Sequence, residues 1–182
     1  ATSVYGDTGG RLVTESDSTN PTSAMGKRRV DAEQLIRAYA ERYGVQYVIL
    51  RVSAIYGKGR LPVMQITQGQ PLLKEELAKP SNRIHIDDLV AVCKAALTQG
   101  EGVYNVSDGA PCSMTEYFNS CADALGKPRQ PQVDIEEARA SMPPLLFTYF
   151  MESRIVDNTR MRHELLPSLA YASCREGIAA SV

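Results

Sequence analysis

No run of about 18 apolar residues, the length a membrane-spanning helix needs, occurs anywhere in the 182-residue sequence. Charge interrupts the longest apolar stretches within a few positions, so no membrane partner is expected. An excess of one charge is missing too: 20 basic residues face 21 acidic ones, for a net charge of −1. A broad positive field that could hold nucleic acid or anionic lipid is therefore excluded, and a small-molecule partner is expected. Cys93, Cys112, Cys121 and Cys174 are spaced widely and irregularly. They form neither a Cys-x-x-Cys zinc pattern nor a dense disulfide framework, and read as thiols in a reducing, cytoplasmic setting. No basic stretch followed by an apolar one opens the chain, as a secretory leader would. The first residue is not methionine, so the chain reads as part of something longer. A small protein that has lost its initiator is the plainer alternative. No internal repeat is present.

What is there alternates between two periods. Hydrophobic residues make up 43% of the chain, enough to bury one sizeable core. Ser3-Val-Tyr-Gly6 reads as a strand end, and the polar stretch after it, to Pro21, as an exposed loop. A helix capped by Thr22 or Ser23 then carries Met25, Arg29, Ala32, Ile36, Tyr39 and Tyr43 at helical spacing and stops at Gly44. Val45-Gln-Tyr-Val-Ile-Leu50 is rich in strand formers. A short helix near Leu61 to Gln68 and a charged loop precede the strand Arg83-Ile-His-Ile86. Asp87 is placed to cap the next helix, which runs to Gly100. Val103 to Ser107 makes another strand, and a helix from about Met114 to Leu125 follows. Beyond Lys127 the pattern is helical but broken by Pro131, Pro143, Pro144 and Pro167. This alternation predicts an α/β fold with parallel strands and crossover helices. Three good parallel strands before residue 110 are few for a buried sheet, so the sheet looks incomplete.

Five segments, in order, carry a resemblance. They are Ser3-Val-Tyr-Gly6, Asn20 through Glu33, Leu50-Arg-Val-Ser-Ala-Ile-Tyr-Gly57, Asn82-Arg-Ile-His-Ile-Asp-Asp88 and Val103-Tyr-Asn-Val106. Together they resemble the extended short-chain dehydrogenase/reductase family of NAD-dependent epimerases and dehydratases. Arg154 to Asn158 and Tyr171 to Gly177 are similar to a poorly characterised branch of it. The resemblance implies the C-terminal part of a Rossmann-type doubly wound parallel sheet with a small, mostly helical substrate-side region. Residues 1–110 would be a partial dinucleotide-binding domain and 111–182 the substrate side. NAD or NADP is implied as cofactor. No Gly-x-Gly-x-x-Gly or Gly-x-x-Gly-x-x-Gly turn follows a strand here, so the pyrophosphate has no seat. Cofactor binding is expected only together with a preceding segment that supplies one. A homo-oligomer covering unpaired strand edges would fit such a chain.

The family's catalytic pair is Tyr-x-x-x-Lys, in which a nearby cation lowers the phenol so that it can exchange a proton during hydride transfer. Those positions hold Met25 and Arg29. Methionine has no exchangeable proton. Arginine stays charged and can still hydrogen-bond a ribose hydroxyl, but it has no phenol to tune. The family's hydroxyl position falls on Ala1, or on Thr2 or Ser3 in a shifted alignment. Tyr5, Tyr56 and His85 are the groups available as a relocated acid or base, with His85 as a structural strand histidine the plainer reading.

By position, backbone near Val52, Ser53 and Ile55 would meet nicotinamide, and Arg29 the ribose. A substrate-contacting asparagine is replaced by Ala54. Ser3, Arg83 and His85 are the substrate-side candidates: Arg83 would bind a substrate phosphate, or else pair with a carboxylate. Lys27 and Arg28 extend a solvated helix face. Asp87 and Asp88 read as helix-start carboxylates, and no metal is expected. The function implied is an oxidoreductase or epimerase on a nucleotide sugar or related small carbonyl or hydroxyl compound. A non-catalytic dinucleotide- or metabolite-binding relative is the alternative.

Overall fold

The computed structural model describes residues 1–182. A 3-10 turn, Thr2–Tyr5, precedes β1 (Leu12–Val13), α1 (Ala24–Tyr43), β2 (Val48–Val52), β3 (Ala54–Tyr56), α2 (Val63–Thr67) and β4 (Leu72–Leu73). Next come β5 (Pro80–Ser81), β6 (Arg83–His85), α3 (Ile86–Ala95), β7 (Gly102–Val106), β8 (Cys112–Ser113) and α4 (Met114–Ala124). The chain continues through β9 (Gln132–Val133), α5 (Ile135–Ser141), α6 (Pro144–Met151), β10 (Ile155–Val156), α7 (Thr159–Glu164) and α8 (Cys174–Ala179). Strands pair two by two. β1–β10, β2–β7, β3–β6 and β4–β9 are parallel, and β5–β8 is antiparallel. The longest ladder, β2–β7, runs in register from Val48 opposite Gly102 to Val52 opposite Val106. The alternation of strand and helix expected from the sequence is what forms.

α1 has the ends its sequence encodes. Ser23 Oγ accepts from the Gly26 amide, and Gly44 closes the helix in a left-handed conformation. Its orientation is the reverse of what apolar spacing suggests. Gly26, Glu33 and Ala40, seven residues apart, are buried, whereas Leu35, Ile36, Tyr39 and Tyr43 are exposed. Gly26 lets the head of the helix lie close to the 3-10 turn, and Glu33 finds a cation on β2, so that face wins although the opposite one is more apolar.

Several short elements differ from expectation. Ser3-Val-Tyr-Gly6 is a 3-10 turn and not a strand end, because Val4 and Gly6 amides bond to the carbonyls of Ala1 and Ser3 and no strand pairs with it. The polar stretch after it contains β1, held by the distant β10. The charged loop before Asn82 contains β4 and β5, each paired with a strand from beyond residue 110. His85, not Asp87, caps α3: its Nδ1 accepts from the Asp87 amide at 3.2 Å. α3 also ends at Ala95, before Gly100.

The core has a layered distribution. Ile84, Leu89, Val92, Tyr104, Val106, Met161 and Leu165 pack one side of the β2–β7 region. The largest cluster joins Tyr56, Ile66, Leu72 and Leu73 to Cys112, Tyr117, Phe118, Phe150, Cys174 and Ile178. It draws on residues from both sides of position 110.

Candidate functional site

The head of α1 comes down on the 3-10 turn. A Cβ on Gly26 would lie 2.8 Å from the Ser3 carbonyl oxygen and 2.8 Å from Pro21 Cβ. Only a residue without a side chain permits that approach. Ser3, half-buried, and Met25, 50% exposed, are thereby brought to one end of the helix. Arg29, one turn further on, is exposed. The tyrosine and lysine positions of the resemblance thus face outward from α1, and the thioether there can neither donate nor accept a proton.

Beneath this face lies a buried polar network. Arg51, from β2, grips Glu33 through Nε at 3.0 Å and Nη2 at 2.7 Å. Its Nη1 donates to the Tyr5 hydroxyl at 2.8 Å, and that hydroxyl donates to Asn105 Oδ1 at 2.7 Å. The Asn105 amide in turn donates to Glu15 Oε1 at 2.7 Å. Burial pushes the Tyr5 phenol above its ordinary value despite the guanidinium beside it. Tyr5 is therefore a strut between the 3-10 turn, β2 and β7 and not a proton carrier at neutral pH. Glu33, Arg51 and Asn105 were not singled out in the sequence, although one signal was available. A lone arginine inside the apolar run Val48–Val52 must find a partner when buried.

At the carboxyl ends of β2 and β7, where ligands enter open α/β sheets, Val52 and Ile55 are half-buried and Ser53 is buried. The Ser53 amide donates to the Val106 carbonyl at 3.0 Å. Ser53 Oγ and Ser107 Oγ, each one residue past the Val52–Val106 pair, are buried without a hydrogen-bond partner. Orphaned hydroxyls at this point suit the polar edge of a bound group. These residues contain no glycine-rich seat for the pyrophosphate of a dinucleotide.

The remaining candidates face a second location. Arg83 is 2% exposed. Its Nη1 donates to the Cys112 carbonyl at 3.0 Å and contacts Cys112 Sγ at 3.0 Å, and the guanidinium lies 4.3 Å above the Tyr117 ring. It makes no salt bridge, so the carboxylate partner expected as one option is absent. Asp108, nearby, leaves Oδ2 unpartnered, and burial pushes its carboxyl up to about 6. His85 is also buried, with Nε2 3.1 Å from Ser181 Oγ. Tyr56 donates to the Ser173 carbonyl at 3.2 Å, and burial raises its phenol well above the usual range. Asp88 accepts from the amides of Ala170 and Tyr171 at 2.7 and 3.1 Å, which makes it a clasp for the tail. The structure therefore brings Ser3, Met25 and Arg29 to the head of α1 and Ser53 to the strand ends. Arg83 and His85 belong to the core under α8. None of Tyr5, Tyr56 and His85 is free at the surface.

Comparison with known proteins speaks to the family and the fold. The model of the NAD dependent epimerase/dehydratase family matches residues 1–107. A putative UDP-glucose 4-epimerase of Methanocaldococcus jannaschii is 26% identical over 161 residues, covering 75% of this chain and 53% of that one. A functionally unknown conserved protein from Silicibacter pomeroyi superposes with a TM-score of 0.86 at 32% identity, over 99% of this chain and 63% of that one. A UDP-glucuronic acid 4-epimerase from Bacillus cereus, solved in complex with NAD, superposes with a TM-score of 0.74 at 21% identity, over 98% and 57%. That last likeness is one of fold. The chain spans about half the length of the curated relative and less than two thirds of these structures. With more than half of its residues matched by the family model and its parallel α/β architecture shared, the chain belongs to the NAD-dependent epimerase/dehydratase family.

Proposed function

We propose that the chain is the C-terminal part of an NAD(P)-dependent oxidoreductase or epimerase for a nucleotide sugar or a related small carbonyl or hydroxyl compound, in which no side chain at position 25 carries the proton. The observation behind this reading is Met25 itself, exposed at the head of α1 beside Ser3, in a family whose relatives include a putative UDP-glucose 4-epimerase. NAD or NADP, when bound, would accept and return hydride. In this chain Arg29 would hold a ribose hydroxyl, while Val52, Ser53 and Ile55 would offer strand-end backbone and the orphaned Ser53 hydroxyl to the nicotinamide side. Ser3 would hydrogen-bond the substrate. The proton released from a substrate hydroxyl would leave to water at the open face of Met25. Arg83 and His85 would act from below as positioning residues. Residues 1–110 would serve the cofactor side and 111–182 the substrate side. A cytoplasmic location fits this reading, as does self-association through the apolar stripe Leu35, Ile36, Tyr39 and Tyr43.

A second reading has its own support: Tyr5, Tyr56 and His85 are buried and hydrogen-bonded. A protein with no exposed acid or base at this face could bind its ligands without turning them over. The full-length protein distinguishes the two. Isothermal titration with NAD and NADP, followed by turnover assays with UDP-glucose and UDP-glucuronic acid, should show cofactor binding and measurable conversion if the first reading holds. Binding without conversion of any substrate tested, together with activity gained in the double variant Met25→Tyr/Arg29→Lys, would replace it with the second.

A further inference from the structure

α8 packs against α4 and the end of β6, with Tyr56 of β3 beneath its backbone. A Cβ on Gly177 would lie 2.7 Å from Tyr56 Cε2, so the helix backbone touches the ring directly. The Tyr56 hydroxyl donates to Ser173, and Ser181 meets His85. Cys174 is the first residue of this helix, and Cys112 lies on β8, 62 positions earlier in the chain. Their sulfurs are 3.1 Å apart, and both residues are 6% exposed. Arg83 Nη1 stands 3.0 Å from Cys112 Sγ, so a cation is in place to favour negative charge on the pair. Cys121, in the same core, is fully buried, and Cys93 is exposed.

We propose that Cys112 and Cys174 are a redox-active pair whose oxidation to a disulfide clamps α8 against β8, beneath the loop that follows Tyr56. A proton shared between the two sulfurs, with either one as donor, favours a thiolate on the other. Cys174, carried on α8, is the sulfur freed when that helix opens and is therefore the attacking one, and a low-molecular-weight disulfide, RSSR, is the oxidant. On local opening of α8, the Cys174 thiolate attacks one sulfur of RSSR, forming a mixed disulfide and releasing RS⁻. The Cys112 thiolate then attacks Cys174 Sγ, the internal bond forms and a second RS⁻ leaves. The two thiol protons end on the two RS⁻ groups, so two protein thiols are oxidised and RSSR is reduced to two RSH. The pairing stands on the contact between these sulfurs and is independent of which substrate the protein takes.

The test uses the full-length protein, incubated with oxidised glutathione or with dithiothreitol, then alkylated under denaturing conditions and mapped by peptide mass spectrometry without reduction. Oxidation should remove two alkylatable thiols and yield one cross-linked peptide joining Cys112 to Cys174. Closing a loop of this length should also raise Tm by roughly 5 °C relative to the reduced protein. The Tm difference should vanish in Cys174→Ala and persist in Cys93→Ala. The unaltered protein decides the matter even if a variant folds poorly. Full alkylation of all four cysteines after oxidation, glutathione found only on Cys93, or a cross-link through Cys121 would each overturn the proposal.

Discussion

Arg51 and Arg83 are each 2% exposed, yet they are buried in different ways. Arg51 has a two-pronged carboxylate partner in Glu33, a phenol and, through it, an amide. Arg83 has the Cys112 carbonyl, the Ser81 hydroxyl, the sulfurs of Cys112 and Met114 and an aromatic face, with no ion pair. Paired burial fixes geometry, since removal of either partner strands a charge. Burial among polarisable groups is looser, because sulfur and ring contacts tolerate displacement. The first arrangement holds α1, the 3-10 turn, β2 and β7 to one another. The second lies at the seam where residues before and after position 110 share a core, next to the thiol pair.

The contrast can be broken by substitution. Glu33→Ala should destabilise the protein by about 3–5 kcal/mol in urea unfolding, since it leaves the Arg51 guanidinium buried and unpaired. Arg83→Met should change stability by less than about 1.5 kcal/mol in the same measurement, because a flexible apolar chain of similar length replaces a charge that has no counter-ion. Equal losses at the two sites would show that the distinction is empty.

Asp108 sharpens it. Burial raises this carboxyl from 3.8 to about 6 in the folded state. The folded protein then binds more protons than the unfolded chain between those values. Its contribution to stability is complete below pH 4 and falls as pH rises through 6. Unfolding free energies measured from pH 4 to 7 should decline by on the order of 2 kcal/mol from this group, and Asp108→Asn should flatten the curve. In Arg83→Met the decline should extend to higher pH, because the guanidinium holds the Asp108 carboxyl down. The smallest effect belongs to the outer face: Met25→Ala, at a half-exposed position, should alter stability by less than about 0.5 kcal/mol.

Local signals in the sequence suffice where the physics is local. The limits of α1 follow from Ser23 and Gly44, and the strand β7 from its β-branched and aromatic residues. Apolar spacing along α1 identified a stripe but not the side on which it lies, because periodicity carries no information about what covers a face. The two-residue strands β1, β4, β5, β8, β9 and β10 exist only through partners far along the chain, and no window of neighbours contains that. For the site, Met25, Arg29 and Ser3 were found by motif position and do share one end of α1. The Glu33–Arg51 pair, 18 positions apart across a turn and a strand, has no fixed spacing that would announce it. Arg83 was recognised as special for its guanidinium, but its soft surroundings depend on Cys112 and Tyr117 folding back over β6.

The bond between Tyr5 and Asn105 spans 100 positions. Its two ends can meet only after β7 has been delivered beside β2, and such distant closures are slow steps in folding. That tie therefore closes after the Glu33–Arg51 pair, whose ends lie only 18 positions apart and hold α1 to β2 without β7. A chain arrested before β7 would carry α1 docked on β2 with the Tyr5 hydroxyl still lacking its Asn105 acceptor, a placed helix over an unfinished floor.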